Sequence, residues 1–371
     1  MPRHLGRRPG FLLAGFLLGV LVMVVGVYVY YQSATGYREL QTVARTVNLP
    51  PEALRLEELE GDSVARVALD DVALLGAHGD TVAYAPTMHF RLLLPTLSGD
   101  GPVELTQVVL DRPYLNLVER PDGSYNLAEV VAMTARGQRV SPPDQGKSYG
   151  FLLRDVRIRN GRLRLVTPWE PDSVLGAPNP AAVRLASVGG RTVQVRSATD
   201  LDARLPTLRF GGDEGWRVEV ASLTAQLHGP DVRIRALSGF AEAGANGAIR
   251  FAVTTLRAGN SVVDGEGTVN LAGETPRFDV RLRAHPVQLA DLRWAVPSLP
   301  AGGTLTGSFA LQSRQSGRMA VRGSGVELTA YGSHLTGHFA ALVGGGVPAS
   351  FYDTQLSLRP FLLSTLDSLG Y

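Results

Sequence analysis

The chain has no cysteine among its 371 residues, which excludes disulfides, thiolate metal ligands and a cysteine nucleophile together. Lysine is nearly absent as well: Lys147 is the only one, so arginine carries the positive charge. Aromatic residues make up 7%, and no carboxylate pair stands out, which argues against a glycan-active β protein. Catalytic signatures are missing too. There is no Gly-x-Ser-x-Gly elbow. Gly146, Lys147 and Ser148 match the end of a phosphate-binding loop, but Ser141 stands where its first glycine belongs. Gly323 and Gly325 begin a dinucleotide-like pattern that fails at Leu328. His334 and His338 are four residues apart, which in a strand means about 13 Å, too far for one ion. The expectation is a protein without catalytic residues, metal or cofactor.

Present instead is one long apolar run. Phe11 to Tyr31 carries no charge over 21 residues, about 31 Å as a helix, which matches the roughly 30 Å hydrocarbon core of a bilayer. Arg3, Arg7 and Arg8 precede it, and the next charge is Arg38. The positive-inside rule then keeps residues 1–10 cytoplasmic and exports everything after the span. Without those three arginines the chain has 33 basic and 34 acidic residues. A near-neutral exported part has no counterion-release drive towards nucleic acid.

Beyond the span, short segments alternate apolar and polar residues, the period of half-buried strands. In Arg277 to Ala284 the apolar positions are Phe278, Val280 and Leu282, with Arg277, Asp279, Arg281 and Arg283 between them. Val218 to Val220, Val232 to Ala236, Leu305 to Leu311 and Leu335 to Val343 repeat the pattern. Glycine, at 42 residues, well above the usual share of about 7%, supplies the turns. The spacing predicts many strands in one antiparallel sheet.

Asn160 and Gly161 predict a two-residue type I′ turn, making Val156 to Leu165 a hairpin. Its register would place Val156, Ile158, Leu163 and Leu165 on one face. Arg157 would then oppose Arg164, and Arg159 would oppose Arg162, a destabilising arrangement of like charges. Either neighbouring Asp and Glu on a wet face compensate them, or lipid phosphates do. Residues 137–149 and 168–181, rich in proline and glycine, read as linkers or loops. Between Pro50 and Gly61 helix and strand signals conflict, and Asp70 with Asp71 reads as a strand boundary.

Pro113, Leu115, Leu117, Arg120, Asp122, Gly123, Asn126 and Leu127, in PYLNLVERPDGSYNL, resemble the "P-x-l-x-l-x-r-x-x-dG-x-x-N-l" segment of the AsmA-like family, which includes the TamB-type translocation-and-assembly proteins. TVAYAP at Thr81 to Pro86 is similar to the family's segment ahead of its next strand. Pro297, Pro300, Gly302, Gly303 and Gly307, in PSLPAGGTLTG, are similar to the pattern that opens its β modules. On the residues alone, Asp122 and Gly123 turn the chain, and Asn126 caps a short helix begun at Leu127, with Glu129 reciprocating. Pro113, Asp122, Gly123 and Asn126 are thus read as a structural motif.

The resemblance implies a mostly β fold: a transmembrane helix followed by an elongated, curved antiparallel groove with a few short helices. The expected organisation is a cytoplasmic N-terminus (1–10), an anchor (11–31), an N-terminal periplasmic domain (32–150) and repeated groove modules (151–371), the last of them incomplete. It implies a single-pass bacterial inner-membrane protein whose periplasmic groove takes part in moving phospholipid towards the outer membrane. Acyl chains would lie against Val156, Ile158, Leu163, Leu165, Phe278, Val280 and Leu282. In such a groove Ile158→Asp would be tolerated by folding, because the carboxylate hydrates when no lipid is bound. The alternative is a structural adaptor that binds an outer-membrane assembly protein by strand addition.

Overall fold

The computed structural model describes residues 47–48, 54–60, 64–76, 79–93, 102–119, 126, 150–169, 184–188, 190–211, 215–229, 231–243, 248–270, 277–293, 299–314, 318–344 and 350–360. The apolar run 11–31 lies outside them, as do Asp122, Gly123 and most of the two proline-rich stretches. Among the described residues no helix is long and apolar enough to cross a membrane. The protein is mostly β, and its strand pairings are predominantly antiparallel. Two compact units divide it: Met1–Val220 with Ala225–Gly229, and Ala221–Thr224 with Pro230–Tyr371.

In the first unit, β1 (Val47–Asn48) and β2 (Leu54–Glu60) run antiparallel along opposite ends of β3 (Val64–Leu75). The conflict between Pro50 and Gly61 is therefore resolved as a strand. Next to β3 lies β4 (Thr81–Leu93), which contains Thr81 to Pro86 inside the strand rather than ahead of it. β4 then pairs with β5 (Val103–Asp111) and with β6 (Tyr114–Val118). Both β5 and β6 run parallel to β7 (Gly150–Pro168), which departs from the all-antiparallel expectation. β9 (Arg191–Gly211) pairs antiparallel with β7, and β8 (Arg184–Val188) with β9. β10 (Trp216–His228) follows.

The expected hairpin at Asn160-Gly161 does not form. β7 is one strand of 19 residues through that point. A type I′ turn needs positive φ at both central residues; here only Asn160 has it, at 50°. The result is a bulge: the β7–β9 register shifts on both sides of Gly161. Arg157 opposes Arg204, not Arg164. Asp71 is likewise at φ 54°, inside β3 instead of bounding it.

Irregularities are matched across the parallel pair. Val103–Asp111 and Tyr114–Val118 align with β7 at a constant offset of 48 residues. At that offset Gln107 (φ 53°) stands beside Asp155 (φ 50°), and Arg112 (φ 49°) beside Asn160. Arg112 N–H donates to the Arg159 carbonyl (2.7 Å) and Arg162 N–H to the Pro113 carbonyl (2.8 Å), so pairing passes through the kink.

The second unit is a meander. β11 (Val232–Ala243), β12 (Ala248–Ala258), β13 (Ser261–Asn270), β14 (Arg277–Gln288), β15 (Thr304–Ser313), β16 (Arg318–Ala330), β17 (Ser333–Gly344) and β18 (Ser350–Leu358) each pair antiparallel with the next. The short α1 (Leu289–Leu292) follows β14. Asp291 on it accepts from Asn260 N–H (2.8 Å) and the Ser261 hydroxyl (2.7 Å), tying it to the β12–β13 turn.

Candidate apolar face of the second unit

Alternation in β14 comes out as read: Arg277, Asp279, Arg281 and Arg283 are exposed, whereas Phe278, Val280 and Leu282 are half-buried. Register extends this face sideways, because directly paired residues point the same way. One row runs from Ala241 through Phe251, Gly267, Val280, Leu311, Val321 and Ala341 to Phe351. The neighbouring row runs Gly239, Val253, Gly265, Leu282, Phe309, Gly323 and Phe339. Eight strands at about 4.8 Å give a strip roughly 34 Å across the sheet.

Large residues on this strip lie over glycines of the preceding strand. A Cβ on Gly265 would come 2.7 Å from Leu282 Cδ2, one on Gly267 would come 2.9 Å from Val280 Cγ2, and one on Gly323 would meet the Phe339 ring, 2.9 Å from Cδ1. The strip is therefore low in relief, and its large side chains in β12 to β17 keep partial contact with water, whereas Ala341 is buried. A line of bulges crosses it: the register shifts at Gly239 in β11, beyond Val253 in β12, beyond Ala284 in β14, beside Gly307 in β15 and beyond Gly323 in β16. Gly239 and Gly337, at φ 148° and 142°, press on the backbone of Ala252 and Gln355, so neither has room for a side chain.

β18, which pairs with β17, is exposed along its whole length, with Phe351 66% accessible. The opposite face is polar: His285 meets Asp264, and Arg281 lies 3.9 Å from Glu266.

The other expected groove residues sit differently. Val156 is 0% exposed and Ile158 5%, packed into a unit whose core includes Leu69, Met88, Phe90, Leu105, Leu110 and Leu153. Leu163 and Leu165 are half-buried. Phe278, Val280 and Leu282 are thus partly accessible at the surface, whereas Ile158 is reached only by opening the core.

Asn126 has a role the sequence did not disclose. It is fully buried, and its side chain serves the backbone of β6; the expected cap on a helix begun at Leu127 lies outside the described residues. Oδ1 accepts from Val118 N–H (3.0 Å), and Nδ2 donates to the Asn116 carbonyl (2.9 Å) and Asp80 Oδ2 (3.3 Å). The amide thus stands in for a peptide group beside β6, beyond the two residues, Tyr114 and Leu115, that pair with β4. Asn126, at the end of the Pro113 to Leu127 stretch, was visible in the sequence; which backbone groups of β6 it would serve was not.

Searches against protein-family models, curated proteins and solved structures return no match to this chain.

Proposed function

We propose that this chain is a single-span inner-membrane protein whose exported β strands take part in moving phospholipid towards the outer membrane. The observation that carries the reading is the half-exposed apolar strip of β11–β18. Soluble proteins seldom leave a contiguous apolar surface of this extent uncovered, and such surfaces mark interaction sites. An acyl chain needs only apolar contact, so a strip with low relief and no catalytic group suits it, while the headgroup stays in water. Phe278, Val280 and Leu282 are the contact residues of this reading, and residues 11–31 anchor it.

The test is photocrosslinking in cells from positions 280 and 281, which adjoin in sequence but face opposite sides. Phospholipid adducts at 280 and none at 281 are expected. Absence of adducts at 280, or equal yields at both, overturns the lipid reading. A second reading, an adaptor that adds a partner's strand, draws on the exposed strand β18; adducts to protein from position 351 with none to lipid at 280 would favour it.

A further inference from the structure

The arginines of β7 fall into two classes. Arg154 pairs with Glu104, and Asp155 serves both Arg157 (3.1 Å) and Arg204 (3.5 Å). Farther along the same face, Arg159 and Arg162 are exposed, and Arg164 is half-buried. Among the described residues none of these three reaches a carboxylate. Asp111, directly beside Arg159, pairs with Arg112 (3.2 Å). Asp202 accepts from Asn160 N–H (3.0 Å). The Arg162 guanidinium lies 5.8 Å from the centre of the Tyr114 ring, and Arg164 Nη1 donates to Asn116 Oδ1 (3.1 Å).

We propose that Arg159, Arg162 and Arg164, supported by Tyr114 and Asn116, form a binding site for the phosphate of a phosphate ester. Successive outward positions on a strand are roughly 6.6 Å apart, within reach of long side chains converging on one anion. Three like charges in a row cost stability unless something neutralises them. Guanidinium forks suit phosphate oxygens, which accept two parallel N–H bonds. Tyr114 and Asn116 hold two of the three forks in place and leave most of their donors free. The site is on the polar side of β7 and does not depend on the apolar strip.

The experiment uses the full chain in neutral detergent, titrated with glycerol phosphate and, separately, with monomeric dihexanoyl phosphatidylglycerol. Salt-sensitive binding of at least one probe is expected. R159Q/R162Q/R164Q should weaken it tenfold or more, while R154Q leaves it within twofold. Should the triple glutamine variant lose its wild-type melting profile, R159K/R162K/R164K serves instead; it keeps the charge, loses the forks and should bind several-fold more weakly. Preference for glycerol phosphate identifies a free ester as the ligand, and preference for the lipid identifies a headgroup. No salt-sensitive binding of either probe, or unchanged binding by the folded triple variants, overturns the proposal.

Discussion

The two units use one chemical alphabet and bury it differently. In the first, most apolar positions of β3, β4, β5 and β7 are closed from water: Leu69, Met88, Leu105, Leu110 and Val156 are 0% exposed, although Leu163 and Leu165 on β7 are half-buried. In the second, the large residues of the strip, Phe278, Val280, Leu282, Phe309 and Leu311 among them, stay half-buried, and β18 is open. Alternation therefore specifies that a strand has an apolar side, not what that side meets. The difference lies partly in the residues: the open strip places glycine at Gly265, Gly267 and Gly323, where the closed unit places leucine, valine or methionine.

The sharpest way to break this comparison is one carboxylate in each unit. Ile158→Asp puts an unpaired charge into the closed core and should cost about 3–5 kcal/mol. Val280→Asp meets water on the open strip and should cost about 1 kcal/mol or less. Denaturant unfolding of both variants checks the contrast; equal losses would mean that the strip is a covered core as well.

Asn126→Ala comes next. It strips the Val118 N–H and the Asn116 carbonyl of their partner in a buried place, at about 1–3 kcal/mol for each group left unsatisfied. Hydrogen exchange should accelerate at Val118 while amides in β14 and β15 stay protected. Uniform acceleration would instead mean that the two units unfold together.

The smallest effect concerns Tyr84, whose hydroxyl donates to Asp71 Oδ1 (2.7 Å). That hydrogen bond, followed by desolvation and by the Asp71 charge, holds the phenol above its usual value of 10.0. A raised folded pKa means that the folded state keeps the proton longer. The contribution is fully present below the unfolded value near 10 and fades as pH rises through the folded one. Ultraviolet titration should show one late-ionising tyrosine in the wild type that Asp71→Asn returns to the ordinary range.

Strand chemistry was legible from the sequence. Arg277 to Ala284, Val232 to Ala236, Leu305 to Leu311 and Leu335 to Val343 all lie in strands, because side-chain period follows directly from backbone geometry. Partners were not legible. Asn160-Gly161 supports a bulge as readily as a turn, and a choice between them depends on whether strands far off in sequence, here β5, β6 and β9, extend the ladder on both sides. Asn126 shows the same limit: its amide chemistry pointed to backbone groups, but not to those of Val118 and Asn116 that it reaches. For the candidate face, Phe278, Val280 and Leu282 could be named in advance, whereas the burial of Val156 and Ile158 depends on tertiary packing that no local pattern encodes.

The matched kinks of β5, β6 and β7 make that parallel pairing a keyed fit. A slip of one residue would turn every side chain to the wrong face. A slip of two would restore the faces, and in plain strands little would oppose it. Here it would set Gln107 and Arg112, both with positive φ, against regular stretches of β7, and leave Asp155 and Asn160 without counterparts. Because the two kinks lie five residues apart on each strand, an odd number, no even slip can bring one pair of kinks into coincidence. The two strands therefore carry an alignment code in their backbones, which a chain joining them through a long connection needs in order to find a single register.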